Sequence, residues 1–214
     1  MRRLALAALL AAAACGVEEP PADAGGDPPS QAQEAPSTEE VVPPAATGPD
    51  AWRILPEASR VMFTGRQGDD AFTGRFSRFD AQVTLDPDDP TGASIVASVD
   101  LSSVDAGSGD RNDSLPESGW FDTARHPRAT FRSESVEAVE GGYEAKGTLT
   151  LKGIERDVVM PFTLSVEGGR AVADATLTLD RTDFRVGEGD FAGPEWVGTA
   201  VEVQIHVEAV SAGG

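Results

Sequence analysis

The chain has 214 residues, with 36 acidic against 17 basic side chains and a formal net charge of −19. That length allows one medium domain plus extra segments, and that charge repels nucleic acid and anionic membrane faces, so a nucleic-acid partner is set aside. The single cysteine, Cys15, rules out an internal disulfide.

In chain order, MRRLALAALLAAAACG opens with two arginines, then an apolar run and small residues. That is the layout of a secretory signal peptide, and the run from Leu4 to Ala14 is too short to span a bilayer. Cys15, after Ala12, Ala13 and Ala14, resembles the lipobox cysteine of bacterial lipoproteins, which is acylated and becomes the mature N-terminus. The leucine usual three residues before that cysteine is Ala12 here. The resemblance implies that residues 1–15 are a lipoprotein signal and that acyl chains on Cys15 anchor the protein, since two or more chains hold stably. The expected location is the cell envelope, facing the periplasm. Gly16 in place of an aspartate gives no argument for inner-membrane retention, so the outer membrane is favoured where there are two. Plain signal cleavage is the alternative.

Residues 16–50 hold eight acids, no base and almost no large apolar side chain. Such a segment cannot bury enough surface to offset the entropy of ordering, and proline and like charges extend it, so a disordered tether is predicted.

The domain, 51–214, begins where apolar and polar residues start to alternate, the period of a strand. Val61 and Phe63 share one side; so do Ala81, Val83 and Leu85, and then Ile95, Ala97, Val99 and Leu101. In GTLTLKGIERDVVMPFTL, Leu149 and Leu151 precede a turn at Gly153, and Val158, Met160, Phe162 and Leu164 follow it, a hairpin with one apolar face. Leu177 and Leu179 end another strand. TAVEVQIHVEAV sets Val201, Val203, Ile205, Val207 and Ala209 against Glu202, Gln204, His206 and Glu208. Apart from a helical turn expected near Gly119–Arg125, no segment repeats at helical spacing. About eight short-turned antiparallel strands make an all-β sandwich or closed barrel, and one-sided alternation favours the barrel. At that size the interior is either filled by side chains or holds one small ligand, and periodicity does not separate the two.

Three stretches, in this order, resemble the YceI-like domain family: SLPESGWFDTARHPRATFRS, GTLTLKGIERDVVMPFTL and LDRTDFRVGEG. The likeness runs from Trp52 to Val210. The family commonly has an aspartate and a histidine where this chain has Asn112 and Ser114, an aromatic where it has His126, and a glycine where it has Arg185. Known members bind lipids or polyisoprenoids, so the resemblance implies an extended, lipocalin-like antiparallel β-barrel with an apolar tunnel for an isoprenoid or acyl chain. On that reading Phe63, Phe76, Phe131, Leu149, Leu151, Met160, Phe162 and Phe184 line the tunnel, and Trp120 and Phe121 close one end. Arg111, Arg181 and Asp183 are candidates for a polar mouth; a turn-fixing contact is the other reading of Arg181 and Asp183, and a solvated loop that of Arg111.

No catalytic, metal or cofactor site is expected. His126 and His206 are the only histidines, His206 falls on the wet face of its strand, and no serine sits in a G-x-S-x-G elbow. The expected partners are an apolar lipid ligand and, through the anchor, a membrane; homodimerisation is left open. The competing function is an envelope interaction module with a filled barrel and no lipid, and a hydrolase of isoprenoid or acyl esters is a remote third.

Overall fold

The computed structural model describes residues 46–213. The expected signal segment with Cys15, and all of the expected tether before residue 46, lie outside them.

Eleven strands follow one another: β1 (Ala51–Ile54), β2 (Arg60–Gln67), β3 (Asp70–Phe76), β4 (Phe79–Thr84), β5 (Ser94–Asp100), β6 (Val104–Asp105), β7 (Arg128–Val139), β8 (Gly142–Leu151), β9 (Ile154–Glu167), β10 (Arg170–Asp180) and β11 (Ala200–Ser211). Eight of them close a ring, β1-β4-β5-β7-β8-β9-β10-β11 and back to β1, antiparallel at every junction. The other three continue three of these ribbons past a break: β2 pairs with β11 beside β1, β3 with β2, and β6 with β3. The result is an up-and-down meander of eight bent ribbons, a closed all-β barrel.

Local chemistry explains the joints. The first break, Leu55–Ser59, contains Pro56, which cannot donate to a ladder. It stays stitched to β11, because the Leu55 amide donates to the Glu208 carbonyl at 2.7 Å and the Glu208 amide to Ser59 Oγ at 3.0 Å. Lys152 and Gly153, both at positive φ (53° and 71°), turn β8 into β9, the two-residue geometry whose twist suits a hairpin. In β7 the register slips between Ser133 and Ser135, so Glu134 is an extra residue. That bulge resets the alternation and brings Val136, 2 % exposed, back to the inside opposite Ala145.

The helical expectation is corrected. The α-helix among the described residues is α1, Gly109–Ser114, while Leu115–Arg125 forms a series of turns. Six residues are too few to show a helical period, and their Gly, Asp, Asn and Ser composition reads as a loop.

The two barrel ends differ. At one end tight or short connections join β4 to β5, β7 to β8 and β9 to β10. At the other, two long insertions, 106–127 and 181–199, fold over the opening. Leu101, Phe121, Phe184 and Val186 pack there as a buried cluster. Toward the short-turn end the buried cluster is Leu85, Ile95, Phe131, Val136, Ala145, Phe162 and Ala175.

Candidate functional site

The inward face of nearly every strand borders one elongated cavity of about 330 Å³, at the small end of the range for ligand sites. β10 contributes Ala171, Ala173, Ala175, Leu177 and Leu179, and β11 contributes Val201, Val203, Ile205, Val207 and Ala209. Eight residues of strand span about 27 Å, or about 20 Å along the axis of a tilted barrel.

The wall residues pack against the two buried clusters without filling the space they enclose. Leu149, Leu151, Val158, Met160, Leu164, Leu177, Leu179 and Ile205 all point inward yet stay only half-buried. A filled core of this size would bury such side chains almost completely. Apart from the indoles, Asp80, Ser98, Thr130 and Arg181 are the lining residues with polar side chains. Two polar groups at the short-turn end are already committed: Trp52 Nε1–H donates to the Leu85 carbonyl at 2.9 Å, and the Tyr143 hydroxyl to the Pro87 carbonyl at 3.1 Å. What is left is an apolar sleeve.

All ten residues expected to line or close the tunnel border this cavity: Phe63, Phe76, Phe131, Leu149, Leu151, Met160, Phe162, Trp120, Phe121 and Phe184. An aromatic chain runs from Phe63 to Phe76 (ring centroids 5.5 Å apart) and on to Phe121 (6.0 Å). Phe63 has room because residue 74, opposite it on β3, is glycine; a Cβ there would collide with its ring. Phe162 stacks on Tyr143 at 5.3 Å. Trp196 is 66 % exposed and off the cavity. The expected ten omit the β10–β11 wall, which alternation had already marked.

The polar candidates do not form the expected charged pair. Arg181 is 4 % exposed, and its guanidinium donates to six backbone carbonyls: Gly198 from Nε, Val186 and Gly187 from Nη1, and Phe191, Gly193 and Val197 from Nη2, at 2.6 to 3.2 Å. Burial lowers its pKa, partly countered by the nearby Asp180 carboxylate. Asp183 is exposed, beside a shallow depression between β9 and β10, and makes no ion pair with it among the described residues. The proposed pair is therefore corrected: Arg181 gathers the insertion 186–198 over the barrel end. Arg111 is also corrected as a mouth residue. It donates to the Ala106 carbonyl and to Gln67 Oε1, both at 3.0 Å, and lies 4.6 Å over the Phe72 ring, tying α1 to the β2–β3 hairpin.

His206 stands on the outer face with Nδ1 2.7 Å from Asp174 Oδ1, and His126 packs its ring against Gly153. Among the described residues, no three His, Cys, Asp or Glu side chains are grouped to hold a metal ion.

The family model of the YceI-like domain matches residues 52–209. A UPF0312 protein of Vibrio cholerae is 30% identical over 146 residues, covering 64% of this chain and 73% of its own. The crystal structure of Burkholderia cenocepacia BcnA superposes with a TM-score of 0.71 at 30% identity, over 73% of this chain and 99% of that one. A polyisoprenoid-binding domain from Saccharophagus degradans, implicated in plant cell wall breakdown, superposes with a TM-score of 0.58 at 18% identity, over 77% of this chain and 99% of that one.

Proposed function

The chain belongs to the YceI-like domain family, and from that premise we propose that its barrel binds a long apolar lipid, an isoprenoid above all, and carries or stores it without chemistry on it. The observation that carries this reading is the unfilled apolar sleeve, whose walls keep accessible surface on their inward side chains. The polyisoprenoid-binding domain that shares the fold supports the same class of ligand.

The energetics suit a chain ligand. Each methylene moved from water into the sleeve contributes about 0.8 kcal/mol, so several isoprene units drive binding without polar help. Ordering the chain and restricting its motion offset part of that gain. Selectivity then comes from the sleeve's length and width. A filled-barrel interaction module would need the same side chains in mutual contact, and the cavity weighs against it. If Cys15 is acylated, the acidic segment before the barrel acts as a leash that sets how far from an envelope membrane the cargo is held.

Native mass spectrometry of the full chain, purified without detergent from the cells that make it, tests the reading. A discrete added mass, released by organic solvent and identified as an isoprenoid or acyl chain, is the expected result. A bare mass that also rejects offered polyprenols and quinones overturns it.

A further inference from the structure

The ring of strands is not laced along its whole length. β9 and β10 pair from Glu167↔Arg170 to Phe162↔Ala175 and no further, although β9 reaches back to Ile154 and β10 runs on to Asp180. In that upper half β9 stays bonded to β8 as far as Ile154↔Leu151, and β10 to β11 as far as Asp180↔Ala200. The two strands thus turn unpaired edges toward each other. The depression between them lies against the cavity with no ladder separating the two strands there: Val158, Leu177, Leu179 and Phe184 border both it and the cavity, so we refer to it as a slot.

A bare edge normally invites another strand, and proteins discourage that with proline and charge. This one begins at Pro161 and carries Arg156 and Asp157. It is therefore poorly suited to accept a peptide strand. Its rim holds three carboxylates, Asp157, Asp180 and Asp183, against the guanidinium of Arg156. Arg181, just inside, has its donors engaged by carbonyls. An anionic head placed here would meet a net negative rim at short range. A hydroxyl or carbonyl head would meet unpaired backbone N–H and C=O groups that can hydrogen-bond it.

We propose that this slot is the mouth of the cavity and the seat of the cargo's polar end, and that the cargo carries an uncharged hydroxyl or carbonyl head rather than a phosphate. The proposal rests on the lipid-binding reading above and narrows it.

The test offers the full chain geranylgeraniol and geranylgeranyl phosphate. The wild type should hold the alcohol about tenfold more tightly, the equivalent of about 1.4 kcal/mol. Val159→Trp, at a position 50 % exposed on the slot's outer edge, should slow uptake of the alcohol about tenfold, a rise of about 1.4 kcal/mol in the entry barrier. Thr178→Trp, on the opposite edge, serves if the first variant fails to fold. Asp157→Asn with Asp183→Asn should bring the phosphate's affinity up toward the alcohol's. Equal wild-type affinity for the two probes, or wild-type loading rates in both tryptophan variants, overturns the proposal while leaving the barrel a lipid binder. If the wild type takes neither probe, the lipid-binding reading falls, and the slot's role with it.

Discussion

Phe162 faces Ala175 across the last rung of the β9–β10 ladder, and the next residue of β9 toward the open half is Pro161. Below that rung the wall is closed by hydrogen bonds and backed by the Phe162–Tyr143 stack. Above it each strand is paired only with its outer neighbour. A residue with no N–H thus stands where the barrel changes from a sealed tube to a slotted one, and the slot follows from sequence through ordinary backbone chemistry.

Hydrogen exchange should see that boundary. Amides of β9 and β10 that bridge the two strands between Phe162 and Arg170 should be protected to the level of the core. Amides in Glu155–Met160 and Thr176–Asp180 that point across the slot should exchange orders of magnitude faster, through local opening. Uniform protection along both strands would mean that the ladder is continuous in solution.

Filling the sleeve should trade ligand for stability. Ala173 is half-buried on the cavity wall, paired with Leu164 and Val207. Ala173→Leu puts added methylenes into empty apolar space, where full burial is worth about 0.8 kcal/mol each. The variant should gain about 1–2 kcal/mol in urea unfolding of the ligand-free protein, after an allowance for imperfect fit. It should also retain less lipid. A loss of stability would show that the space is already occupied by packed side chains.

Arg181 should prove a positioning residue of the cap. Arg181→Lys keeps the charge but supplies fewer donors, without the planar fork, leaving carbonyls of 186–198 unpaired. The expected cost is about 3 kcal/mol, as for breaking a buried charged hydrogen-bond network. Protease cleavage should move first to the 186–198 segment. A variant as stable and as resistant as the wild type would refute the assignment.

The parts of this molecule that were legible in sequence are those governed by a local period. Val201 to Ala209 alternate without a break and form an inward row of five, and Leu149, Leu151, Met160 and Phe162 share a face because a two-residue turn preserves the register. Alternation and the family resemblance together gave ten expected lining residues, and all ten border one space. Alternation could not say that the space is unfilled, because it records which way a side chain points and not what lies opposite it. Nor could it find Arg181's partners, five of the six of which come from loop residues with no period, or the end of the β9–β10 ladder. Pro161 was visible in the sequence, but only pairing to a neighbour on each side shows which ladder it ends.

Acid should weaken the barrel through its turns. Asp180 Oδ1 accepts from both the hydroxyl and the amide of Thr182, which start the 3-10 turn that holds Arg181 and Phe184. Those bonds, the side-chain one first, lower its pKa below the ordinary value of 3.8, and Asp89 is lowered in the same way by Thr91. For a carboxylate depressed on folding, the unfolded chain binds its proton at the higher pH. The contribution is therefore fully present above the unfolded value near 3.8 and disappears as pH falls through the lower folded value. Both groups are largely exposed, so each effect is small. Unfolding measured from pH 6 down to 2 should show stability level at first and then declining below about pH 4. Asp180→Asn should lower the plateau slightly and make the decline shallower, because the group that titrates there is gone. An Asp180→Asn curve parallel to the wild type throughout would show that this turn does not depend on the carboxylate's charge.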